Sequence, residues 1–112
     1  MFGDKNQIIE RRKQPRFTYK PEYCPVLQCQ KSRYRVLNIS EGGLKIDVSG
    51  SPNRPFFAGA VLSGVIYFFN KRQLSIEGDL VWIIGDEMGI KLRKPIHKKI
   101  IRAESAYFIE QQ

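Results

Sequence analysis

Apolar and polar residues alternate with a period of two through most of this chain and change to a helical period only near its end. Leu44, Ile46 and Val48 alternate with Lys45 and Asp47, the pattern of a strand with one face buried. Residues 61–69 and 74–84 are rich in β-branched and aromatic side chains and are joined by the polar turn Asn70-Lys71-Arg72-Gln73, which predicts a hairpin. Met88, Ile90 and Leu92 alternate with Gly89 and Lys91 after the turn Gly85-Asp86-Glu87. Residues 24–30 and 33–39 read as a first hairpin, and 49–55, with Gly50, Pro52 and Pro55, as a loop. In the tail, Ile96, Ile100, Ala103 and Tyr107 fall on one face of a helix, with Ile101 and Phe108 alongside and Pro95 in its first turn. Short strands at regular spacing before one helix predict an all-β fold with a C-terminal helix. The expected architecture is a small six-stranded antiparallel β-barrel over 23–93 with a helix over 95–109 packed on it. Residues 1–10 show no sustained period and read as an N-terminal tail, either a short helical turn or disordered. Residues 11–22, with Pro15 and Pro21, read as a flexible, extended arm leading into the barrel.

At 112 residues the chain has the size of one domain, large enough for a single core. Its 42% hydrophobic and 27% charged residues are ordinary for a globular protein, but the net charge of +8 calls for an anionic partner. The cations gather in residues 5–20, in Lys31, Arg33 and Arg35, and in 91–102; solvated faces account for the last group equally well. Cys24 and Cys29 with the single His97 do not complete a zinc set. On a strand, their odd spacing points the thiols to opposite faces, so reduced cysteines in the cytoplasm are expected. No apolar run approaches membrane-spanning length, and no signal-peptide core follows Met1, so no membrane insertion is expected.

Two short motifs carry the chemistry. Arg12 and Arg16 stand four apart, preceded by Arg11; Asn38-Ile39-Ser40-Glu41-Gly42-Gly43 follows some twenty residues later. A guanidinium fork matches a phosphate, or the O6/N7 edge of guanine, through two parallel hydrogen bonds. Asn38 and Ser40 can reach another polar edge of a base, while Gly42 and Gly43 let a backbone approach closely. The same Asn-x-Ser-x-Gly-Gly run also suits a tight turn. Together the motifs ask for a ligand that is anionic and rich in guanine. No nucleophile–base pair, carboxylate dyad or metal set can be assembled, so neither an enzyme nor a cofactor is expected.

The paired motifs resemble those of the PilZ domain, a bacterial receptor module for cyclic di-GMP, with RxxxR at Arg12 and Arg16 and [D/N]xSxxG at Asn38, Ser40 and Gly43. The resemblance covers essentially residues 10–109 and implies an arm, a barrel and a helix in that order. It implies that Arg12 and Arg16 clamp the phosphates and guanine edges of cyclic di-GMP; the like charges among residues 5–20, with little apolar surface to bury, predict an arm that is mobile until ligand arrives. It also implies output through an unidentified effector protein in motility, biofilm or virulence control. The strand phase of Trp82 matches Leu80 and Ile84, which favours the core, although some PilZ domains place an aromatic here beside the nucleotide. Arg11 resembles the arrangement in which two cyclic di-GMP molecules bind as an intercalated pair. Arg33 and Arg35 share a face that is more readily read as exposed barrel surface, and His97 reads as surface.

The leading reading is a receptor without catalysis. An alternative, a small basic barrel binding single-stranded nucleic acid, requires aromatics standing on an open face. Phe56, Phe57, Phe68, Phe69, Tyr107 and Phe108 sit instead in apolar clusters of sequence, so nucleic acid is not expected. A third reading is a PilZ interaction module whose site binds nothing.

Overall fold

In the computed structural model, residues 16–50 and 57–110 are described, the last two by backbone alone. The tail, Arg11, Arg12 and most of the 49–55 loop therefore lie outside the described residues. Seven strands precede one helix: β1 (Arg16–Thr18), β2 (Val26–Cys29), β3 (Ser32–Ser40), β4 (Gly43–Asp47), β5 (Val61–Tyr67), β6 (Gln73–Ile84), β7 (Glu87–Leu92) and α1 (Lys98–Glu110). A turn of 3-10 helix, Pro21–Tyr23, joins β1 to β2. All pairings are antiparallel, and the order β3-β2-β5-β6-β7-β4 closes back onto β3, so six strands form the expected barrel. Closure pairs every barrel strand on two sides.

Inward positions of the strands fill the barrel: Leu27, Val36, Ile39, Ile46, Ile66 and Leu80 are buried with Leu44, Met88 and Ile90. The strand outside the barrel is β1, within the stretch expected as an extended arm. Three residues flanked by Pro15 are too few to reveal a period, but they find a partner. The edge of β3 that serves β2 at residues 32–35 serves β1 at residues 38–40. The latter part of the arm is thus docked, with Phe17 against the core and Tyr19 buried in it.

The helix covers this junction. Phe108 stacks on Phe17 with ring centroids 5.9 Å apart and meets Tyr19 edge-on at 5.7 Å. Beneath them, Glu104 is 0% exposed, accepting from the Tyr19 hydroxyl at 2.6 Å and from Asn70 Nδ2 at 3.1 Å. Burial pushes the Glu104 carboxyl up, opposed by the Tyr19 hydrogen bond and the charge of Arg72. The helix starts at Lys98 rather than at 95, because the Ile96 amide donates to the Glu41 carbonyl at 2.9 Å and holds that stretch extended. His97 then caps the helix, its Nδ1 accepting from the Lys99 amide at 3.0 Å.

Cys24 lies before β2 rather than on it, so strand parity does not apply. Both thiols are free and buried, and burial raises each above its ordinary range. Phe57 departs from the expected apolar cluster and is 67% exposed, while Phe69 does pack against Tyr23 and Phe108. Among the described residues no helix is long and apolar enough to cross a membrane.

Candidate functional site

Strand register builds the site. Outward-facing residues line up in two rows that run around one side of the barrel. The first row is Thr18 on β1, Asn38 on β3, Lys45 on β4, Gly89 on β7 and Trp82 on β6, each the register partner of the next. The second begins with the register pair Arg16 and Ser40 and continues through Gly43, Lys91 and Asp79. Ser40 joins Gly43 across the turn, its hydroxyl donating to the Gly43 carbonyl at 3.3 Å. The two glycines leave bare backbone between longer side chains, which sinks the surface into an open hollow of about 410 Å³, in the range of small-molecule sites.

Two bulges decide what faces this hollow. The register shifts between Val36 and Asn38 on β3 and between Leu80 and Trp82 on β6. Without the first, Asn38 would share the inward parity of Tyr34 and Val36; without the second, Trp82 would share that of Leu80. Both shifts act in the same row and turn an amide and an indole outward at its two sides. The expected core position of Trp82 is therefore corrected: its side chain is half-buried and lines the hollow. The indole lies over Gly89, where a Cβ would overlap it. A Cβ at Gly43 would come within 2.7 Å of the Ile90 carbonyl oxygen, so a side chain at either floor glycine would force a neighbour to shift.

The electrostatics are one-sided. Arg16, Lys45 and Lys91 line the hollow, and no carboxylate does so among the described residues. Neighbouring acids are already engaged. Arg35 pairs with Asp47 at 2.7 Å and holds its carboxyl below the usual range, and Arg93 does the same to Asp79 at 2.9 Å. Asn38 is 8% exposed, and among the described residues its amide has no side-chain partner. Arg16, Asn38, Ser40, Gly42, Gly43 and Trp82 thus come together around one hollow. Arg33 and Arg35 stand away from it, bonded to Gln28 and Asp47. In the sequence Lys45 is one polar beat in an alternating strand, and Lys91 is only the first cation of the basic run 91–102. Among the described residues no cluster of His, Cys, Asp and Glu is arranged to hold a metal.

The PilZ domain family profile matches residues 10–107. Solved structures that share the fold include the following two. MotI/DgrA, an inhibitor of motility from Bacillus subtilis, is 23% identical with a TM-score of 0.64 over 91% of this chain and 51% of its own. MrkH from K. pneumonia, solved as a complex with c-di-GMP, is 18% identical with a TM-score of 0.65 over 91% of this chain and 56% of its own. The chain thus spans about half the length of either. No curated protein matched it.

Proposed function

The chain belongs to the PilZ domain family, and on that premise we propose that it is a receptor for cyclic di-GMP, which it binds in the hollow between Arg16 and Trp82. The observation that carries this reading is the lining: three cations, an unengaged amide, a bare glycine floor and no carboxylate among the described residues. Such a surface suits a flat, anionic ligand with polar edges. In this reading Arg16, with Arg12 and Arg11 from the arm, binds phosphate oxygens and the O6/N7 edges of guanine. Asn38 and Ser40 contact a guanine edge, Gly42 and Gly43 let the nucleotide lie close to the backbone, and the Trp82 indole offers a face for stacking.

Binding then acts on the rest of the domain through β1. Arg16 is separated from Tyr19 by two residues, and Tyr19 is bonded to Glu104 of α1. A ligand that draws the arm onto the barrel shifts the surface formed by β1 and α1, and a partner protein senses that change. Motility and biofilm control are the outputs this reading favours, with no catalytic step on this chain.

The test is calorimetric titration with cyclic di-GMP, using cyclic di-AMP, GTP and a single-stranded oligonucleotide as controls. Micromolar or tighter affinity for cyclic di-GMP, at least about 8 kcal/mol, is expected. Adenine lacks the O6 acceptor, so equal binding of cyclic di-AMP would refute the guanine reading. Tighter binding of the oligonucleotide would transfer the hollow to nucleic acid. The expected ratio is two nucleotides per protomer, falling toward one in Arg11→Leu, because a third guanidinium can stack on an exposed guanine and offset the repulsion among four phosphates.

A further inference from the structure

Four outward residues on β4 and β7 form a square. Gly43 faces Lys91 and Lys45 faces Gly89, so glycines occupy one diagonal and lysines the other. Diagonal neighbours of this kind stand roughly 7–8 Å apart. Arg16 enters the same hollow from the far side, three strand spacings from Lys91 along its row, or about 14 Å. The cations therefore stand on two sides of the glycine floor rather than in one cluster.

The lysines also differ in how they are held. Lys45 Nζ lies 3.3 Å from Glu87, diagonal to it on β7. Lys91 makes no close ion pair among the described residues: its register partner Asp79 takes two hydrogen bonds from Arg93 at 2.9 and 3.3 Å, and the Lys91 charge adds only a lesser pull on that carboxyl. An ammonium whose neighbouring carboxylate is bonded to another cation, beside a concave surface stripped of side chains, is placed for an anion. A cyclic dinucleotide carries its two phosphates on opposite sides of one ring, and a clamp on one side alone would leave a phosphate facing solvent.

We propose that Lys45 and Lys91 form a second phosphate clamp, opposite the arginine arm, and that Glu87 competes with the ligand for Lys45. This inference rests on the cyclic di-GMP reading and adds to it a barrel-borne contact. Since these side chains stand on strands paired on both sides, they are positioned before ligand arrives, whereas Lys-to-phosphate attraction remains sensitive to salt.

The experiment is titration of cyclic di-GMP at low and moderate salt into wild type, Lys91→Gln, Lys45→Gln, Lys91→Arg and Glu87→Gln, with thermal unfolding of each to confirm the fold. Lys91→Gln is expected to weaken binding about tenfold and to flatten the loss of affinity with salt, by removing one charge-assisted contact. Lys91→Arg should stay within about threefold of wild type, since the charge is kept. Glu87→Gln should bind more tightly, because Lys45 is released. If wild type binds while Lys45→Gln and Lys91→Gln match it in affinity and salt dependence, the clamp is refuted and the receptor reading stands. If wild type does not bind, the receptor reading falls first and the clamp with it.

Discussion

Replacing Tyr19 with Phe isolates the hydrogen bond that ties α1 to the strand carrying Arg16. The ring contacts survive, because Phe keeps the edge-on packing against Phe17 at 4.8 Å and Phe108 at 5.7 Å. What goes is the hydroxyl that donates to Glu104 at 2.6 Å. Burial and then Glu104 itself push the Tyr19 pKa upward, so this hydroxyl remains a donor at every ordinary pH. A hydrogen bond to a charged partner contributes about 1.5–3 kcal/mol, and Glu104 is wholly buried with only Asn70 left to serve it among the described residues. We expect a loss of about 2 kcal/mol with Glu104 ionised. The sign of the pH dependence follows from the raised carboxyl of Glu104. Its contribution is fully present below the unfolded value, near pH ~4.3, and is lost as pH rises through the higher folded value. Removing the Tyr19 bond, which lowers that pKa, raises the folded value further and prolongs the decline. The gap between wild type and variant should therefore be smallest near pH ~4 and widen as pH rises through the folded values. Urea unfolding from pH ~4 upward measures it. A difference that stays under about 0.5 kcal/mol, or that does not change with pH, would refute the account of Glu104 as a buried carboxyl stabilised by Tyr19.

Gly89→Ala should displace the Trp82 indole from its seat, at a cost of about 1–3 kcal/mol for overpacking, and weaken the nucleotide. An unchanged tryptophan emission spectrum together with unchanged affinity would show that the indole does not depend on that glycine. Arg16→Ala should greatly weaken binding while stability moves by less than about 0.5 kcal/mol, since the side chain is exposed. Unfolding of that variant would assign Arg16 a structural role instead. Ser40→Ala removes one neutral hydrogen-bonding group and should lower affinity by about 1 kcal/mol; a loss as large as that of Arg16→Ala would contradict the ranking.

The barrel was readable where parity runs unbroken. Leu44, Ile46 and Val48 are all buried, as their alternation predicts. It failed where parity is interrupted. Trp82 counts as an inward residue if the strand is regular, and a single inserted residue at Val81 reverses it, an event that leaves no trace in a period-two pattern. The same reversal at Leu37 turns Asn38 outward, although its polarity and the turn that follows already marked it. Lys45 and Lys91 needed register, not pattern. Nothing in the order of residues says that each lysine is paired with a glycine on the neighbouring strand. Glu104 carried a signal that could have been used: it stands one turn after Ile100 and one before Phe108, a charge within the buried stripe of the helix. Its two partners, Tyr19 and Asn70, lie 85 and 34 residues away, beyond any local pattern.

β1 is only three residues long, and it pairs with the same three residues of β3 that include Asn38 and Ser40. A strand so short is kept in place mainly by what covers it, here Phe17, Tyr19 and Phe108, and it opens with a free energy below that of the whole domain. On the proposed reading, a nucleotide gripped by Arg16 and Asn38 together can bind only molecules in which that strand is seated. The measured Kd is then the intrinsic value divided by the seated fraction. Residues of the aromatic cap thereby set affinity without meeting the ligand. Amide hydrogen exchange at 16–18 and 38–40 reads that fraction directly, before any nucleotide is added.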